Sequence, residues 1–155
     1  WVRADDRYRR VIAAFYYYRQ AERLAALEPD RQAMVAEVVL NLTKALEIIF
    51  SSDRDQLRFR ASRWGFDTNL VEEKIIPLFL LRNQMDVAHV ATGPLTPDQK
   101  QVVLNFTDIA FSHVHDVLKR VAELVRSGEI ELDPISRSLD KDKEELIQTL
   151  KKYSG

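Results

Sequence analysis

The stretch Leu80-Leu81-Arg82-Asn83-Gln84-Met85-Asp86-Val87-Ala88-His89 gathers a guanidinium, an amide, a carboxylate and an imidazole within ten residues. On a helix, Arg82 and His89 differ by about 20° around the axis and by roughly 10 Å along it, so both lie on one strip. Asp86 falls four residues after Arg82 and three before His89, within reach of either. The apolar seam Leu78, Leu81, Met85 and Ala88 runs alongside. Such a set suits phosphoryl chemistry without a metal. An imidazole can take a proton from an RNA 2′-hydroxyl or give one to the leaving 5′-oxygen near neutral pH, and arginine can hold the charge that develops on phosphate. One histidine cannot be base and acid at once, and a second copy across a two-fold axis would supply the missing group. Spacing alone also admits a plainer reading, because Arg82 and Asp86 form an ordinary helix ion pair worth a few tenths of a kcal/mol.

Other chemistries are poorly served. The chain has no cysteine, which removes disulfides, thiolate metal sites and cysteine nucleophiles, and makes a reducing, cytoplasmic setting the expectation. Phosphate-binding glycine loops, metalloprotease, serine-hydrolase and calcium-loop motifs are missing from the sequence, so no metal and no cofactor is expected. Besides His89 there are only His113 and His115. Their side chains point about 200° apart on a helix and cannot share an ion. No apolar run reaches the roughly 18 residues of a membrane span. Net charge is −1, from 23 Lys and Arg against 24 Asp and Glu, which argues against a broad basic surface for nucleic acid. The start, Trp1-Val2-Arg3, has no initiator methionine and no apolar leader, and reads as a piece of a longer protein.

The elements that position these groups read as helices. Glycine is sparse, and the intervals are rich in Ala, Leu, Glu, Arg and Gln. A first helix over 5–27 carries Tyr8, Val11, Phe15, Tyr18, Ala21 and Ala25 on one side. A second, from Met34 with Asp30 as its cap, shows Val35, Val38, Leu42, Ala45, Leu46 and Ile49 at helical spacing. A shorter segment covers 56–64. The next helix begins near Asn69, with Glu72 as a capping-box partner, and Pro77 either kinks it or starts a regular stretch to about Val90. Thr96-Pro97-Asp98-Gln99 opens a long helix to about Ser127, where Gly128 supplies the stop. Its seam reads Val102, Phe106, Ile109, His113, Val117, Val121 and Leu124. The pattern predicts an all-α bundle of four main helices plus short extras over 1–127. An extended linker and a charged helix from Leu139 to Tyr153 would follow within 128–155, docking on the domain or a partner.

With Arg82-Asn83 followed after six positions by His89, and with the apolar lead-in Pro77-Leu78-Phe79-Leu80-Leu81, the chain resembles the HEPN superfamily. The stretch Leu42 to Phe50 with Gln56-Leu57-Arg58-Phe59-Arg60 is similar to its Apea-like branch. The resemblance covers about residues 30–125. It implies a helical bundle that pairs through the motif helix into a homodimer with a composite cleft of two Arg-x6-His elements. It further implies a metal-independent endoribonuclease of a toxin–antitoxin or phage-defence system, with an antitoxin or neighbouring domain as partner. The catalytic set would be His89 as acid and base, Arg82 on phosphate, and Asn83 and Asp86 orienting them. Other members serve as non-catalytic nucleic-acid-binding or interaction modules. The family often has glycine directly after the histidine, whereas here Val90-Ala91-Thr92 precede Gly93.

Two clusters lie outside the motif. Arg54, Arg58, Arg60 and Arg63 could follow an RNA backbone, with Arg58 the first choice for a phosphate contact, although Asp53 and Asp55 dilute the charge and a solvated helix face is the simpler explanation. Phe15-Tyr16-Tyr17-Tyr18 could stack on bases, but on a helix these rings point four ways, which favours packing.

Overall fold

The computed structural model describes residues 6–27, 33–84, 96–135 and 138–153, and every regular element among them is helical. The protein is an all-α bundle. A short 3₁₀ turn, Asp6–Tyr8, leads into α1, Arg9–Ala25. Helix α2 spans Val35–Glu47 and α3 Arg54–Arg63. Helix α4 is composite: Thr68–Leu70, a π-helical stretch Val71–Ile75, and Ile76–Gln84. The long α5 spans Pro97–Ser127 and α6 spans Ser138–Tyr153. The proposed Asp30 cap lies outside the described residues.

Helix α2 is the hub, packed by α1, α4 and α5. Its predicted stripe, Val35 through Ile49, is buried in full, and Val39 and Thr43 are buried beside it. The Thr43 hydroxyl is satisfied in place, donating to the Val39 and Leu40 carbonyls at 2.9 Å. Helix α1 contributes Val11, Ala14, Tyr18 and Ala21 to the core, the predicted face. Of its four consecutive rings Tyr18 is buried, Phe15 and Tyr17 pack partly buried against the core, and Tyr16 is 60% exposed.

Tyr18 sits edge-on to Phe111, ring centroids 5.8 Å apart, with His115 at 5.7 Å. Burial, reinforced by the Glu22 carboxylate one turn on, pushes its phenol up from 10.0 to about 12. The neutral form is favoured in the fold. Its contribution to stability is therefore complete below pH 10 and is lost as pH rises through about 12. In an ultraviolet titration one of the five tyrosines should ionise last, near pH 12, and Tyr18→Phe should remove that step.

The start of α5 follows its sequence signal closely. The Thr96 hydroxyl accepts from the Gln99 N–H at 3.3 Å and the Gln99 side chain accepts from the Thr96 N–H at 2.9 Å. Gly128 ends the helix in the left-handed region at φ 77°, where a side chain would be strained. The seam of α5 needs correction. Val117, Val121 and Leu124 are buried as predicted, but in the first half the inward residues are Val103, Thr107, Ala110 and Val114. Val102 and Ile109 are 68% and 51% exposed, and Phe106 and His113 are half-buried. The small Thr107 and Ala110 let the helix axis approach its neighbours closely, which larger side chains would prevent.

The other correction concerns the start of α4. Its cap is Asp67, whose carboxylate accepts from the Leu70 N–H at 2.9 Å, and Glu72 is engaged elsewhere. Pro77 is accommodated by the π-helical stretch just before it, where the Ile76 N–H bonds to the Val71 carbonyl five residues back. The widened turn absorbs the missing donor and the clash of the proline ring, so the helix continues to Gln84.

Candidate functional site

Helix α4 positions the motif. Ile75, Ile76, Leu78 and Phe79 are buried and fix its rotation, leaving Arg82 at its margin, half-buried, and Asn83 exposed. Asp86 and His89 lie outside the described residues. The Arg82 guanidinium donates through Nη1 to Glu47 Oε1, a pair in which the side chains are only 23% and 21% exposed. It also lies 6.0 Å from the centroid of the Phe79 ring. Among the described residues this leaves Nε and Nη2 uncommitted, two donors facing one way from a fixed fork.

Glu47 is the last residue of α2, and the groups after it draw further arginines. The Ile48 carbonyl accepts from Arg10 Nη1 at 2.8 Å and the Ile49 carbonyl from Arg60 Nη1 at 3.4 Å. The last carbonyls of a helix lack internal partners and carry the negative end of its dipole, which cations complement. Three guanidiniums thus converge on one end of α2, and Arg82 is the one whose partner on that helix is a side chain, Glu47, rather than backbone.

The segment after α5 closes over the same end. Leu132 is buried, the Asp133 carbonyl accepts from Arg10 Nε, and the Asp133 carboxylate meets Arg60 Nη2 at 3.1 Å. The predicted extended stretch is therefore pinned to the bundle through at least residue 133. Between it and α3 opens a groove of about 460 Å³. Sequence reasoning did not anticipate it, because its two walls are more than 60 residues apart in the chain.

Arg58 is not free for phosphate as it stands. Its Nε and Nη2 donate to the two Glu72 carboxylate oxygens at 2.6 and 3.0 Å, and Nη1 reaches Asp55 at 3.1 Å. The hydrogen bonds from Arg58 hold the Glu72 carboxyl below its ordinary 4.5, and those from Glu72 raise the guanidinium further. What the pair contributes is present above pH 4.5 and is lost as pH falls through the lowered value. Carboxyl NMR should find Glu72 titrating below 4.5 and returning toward it in Arg58→Ala.

Among the described residues no group of three or more His, Cys, Asp or Glu could hold a metal ion. His115 lies 5.7 Å from the Tyr18 ring centroid and 3.6 Å from the Asp116 carboxylate. No helix is long and apolar enough to cross a membrane, among the described residues. The fold and site define an all-helical bundle with an arginine-centred motif at the end of α4. No protein-family model matches the chain, and comparisons with curated proteins and with solved structures return no match.

Proposed function

We propose that the chain is a HEPN-type cytoplasmic domain that pairs with a second copy and cleaves RNA without a metal, as part of a toxin–antitoxin or phage-defence system. The observation that carries it is the pre-set Arg82: a half-buried guanidinium, fixed by Glu47 and Phe79, one helical strip before His89 in the sequence. A guanidinium held in place loses little freedom when it meets phosphate. In the step proposed, His89 of one copy takes the proton of a 2′-hydroxyl, the 2′-oxygen attacks phosphorus, and the 5′-oxygen leaves with a proton from His89 of the other copy. The products are a 2′,3′-cyclic phosphate and a 5′-hydroxyl, and no water is consumed. Asn83 and Asp86 orient the two groups. An antitoxin or a neighbouring domain of the whole protein would cover or release the cleft.

Leu80, 45% exposed on α4, and the outward Val102 and Ile109 of α5 are apolar surface that pairing would cover. Sedimentation at tens of micromolar should find a dimer, and a monomer would count heavily against a composite cleft. The test of cleavage is mixed RNA in EDTA with wild type, His89→Ala and Arg82→Ala, where only the wild type should cut. Equal activity in all three, or none in any, sinks the catalytic reading. A second reading, a non-catalytic pairing or partner-binding module, is favoured by the Arg82–Glu47 ion pair itself, since that bond gives the arginine a purely structural use.

A further inference from the structure

The groove between α3 and the segment after α5 holds a set of groups that the cleavage chemistry does not use. Phe59, near the middle of α3, leaves 63% of its surface uncovered beside the groove, unusual for so large an apolar side chain. Trp64 lines the same groove and is braced from behind by Phe50, ring centroids 5.1 Å apart, and Phe50 is braced in turn by Phe66. Local chain geometry fixes the indole. The Phe66 N–H bonds to the Ala61 carbonyl at 3.0 Å across Gly65, which takes φ 77°.

Charges around these rings divide into used and unused. Arg60 and Asp133 are spent on each other, and Glu129 accepts from the Ser127 hydroxyl at 2.8 Å. Arg63 on α3 and Glu131 on the opposite wall, both exposed, make no ion pair or hydrogen bond among the described residues. Gln56 adds an exposed amide. The groove's volume of about 460 Å³ lies inside the roughly 300–1,000 Å³ range of small-molecule sites.

We propose that this groove binds one purine nucleotide, guanine by preference. Phe59 and Trp64 offer the flat apolar faces on which a base stacks. A carboxylate accepts two adjacent N–H donors at once, and guanine alone among the common bases presents such a pair on its Watson–Crick edge, which suits Glu131. Arg63 provides the fork for the phosphate. The ligand is either a free nucleotide or one unstacked guanosine of an RNA strand. The site stands on its own residues and does not require that the chain cleave RNA.

The test is Trp64 fluorescence of the full chain, with Trp64→Phe as the control for Trp1. GMP should quench saturably in the millimolar range or below, AMP more weakly, and inorganic phosphate not at all. Phe59→Ala should weaken GMP about tenfold or more. Since the ring is exposed, circular dichroism should find that variant folded. Arg63→Ala should erase the advantage of GMP over guanosine, and Glu131→Gln the advantage of GMP over AMP. A guanosine-containing trinucleotide binding more tightly than GMP assigns the groove to RNA, and the reverse order assigns it to a free nucleotide. No saturable signal from either, or unchanged affinity in folded Phe59→Ala, overturns the proposal. His89→Ala should bind GMP as the wild type does, so loss of cleavage and loss of this site are read separately.

Discussion

His89→Ala should lower RNA cleavage in EDTA by about 10²–10⁴-fold, the range that a positioned acid or base supplies. The same substitution should leave the folded state and the dimer intact. Arg82→Ala should reduce cleavage comparably, but with a second signature that His89→Ala lacks: it strands the Glu47 carboxylate, only 21% exposed, and so lowers thermal stability as well. Arg82→Lys separates charge from shape. A lysine keeps the cation but loses the planar fork that meets Glu47 with one arm while offering others to phosphate, so activity should recover only in part. On the proposed reading the pH profile of the wild type should be bell-shaped, because two histidines, one from each copy, would share the acid and base roles. Glu47→Gln tests the link from the other side, since it loosens Arg82 without touching His89. Cleavage should fall through KM for RNA more than through kcat if Glu47 acts only by holding the guanidinium.

What the sequence makes legible is what local chemistry decides. The Thr96 box and the Gly128 stop are read correctly because their partners lie three or four residues away. The faces of α1 and α2 are read correctly because each has a single apolar stripe. Helix α5 has two, shifted by one residue and equal in period, and periodicity cannot choose between them. The choice falls to the neighbours, which accept the small Ala110 and Thr107 and leave Val102 and Ile109 outside. The site divides the same way. Arg82 is found by its place in a motif, but Glu47, 35 residues earlier, is found only in three dimensions, as are Arg58 with Glu72 and Arg60 with Asp133. Arg58 and Arg60 look free for phosphate in one dimension because Glu72 and Asp133, which engage them, come from other elements.

Phe79→Ala should cost about 3–5 kcal/mol of stability, the largest effect expected of any single truncation near the site. Phe79 is 2% exposed and among the largest fully buried side chains, and it sits on α4 two residues past Pro77, where the helix has just recovered from its π-helical turn. With the ring almost wholly enclosed by packed neighbours, its removal leaves a cavity of near phenyl size, so the cost should fall in the upper part of that range. For a chain of this size the melting temperature should drop by roughly 6–20 °C. Leu80→Ala, one residue on but 45% exposed, should stay within about 0.5 kcal/mol in the monomer, and Phe79→Leu, which keeps most of the volume, should lie between. The ring also faces the Arg82 guanidinium from 6.0 Å, so its removal takes away one of the two contacts that orient the arginine. Below its melting temperature Phe79→Ala should therefore retain measurable cleavage, reduced more than in Phe79→Leu and far less than in His89→Ala. A variant with the expected loss of stability and undiminished cleavage would show that Glu47 alone sets the guanidinium, and that the core beneath the motif serves only to hold the helix.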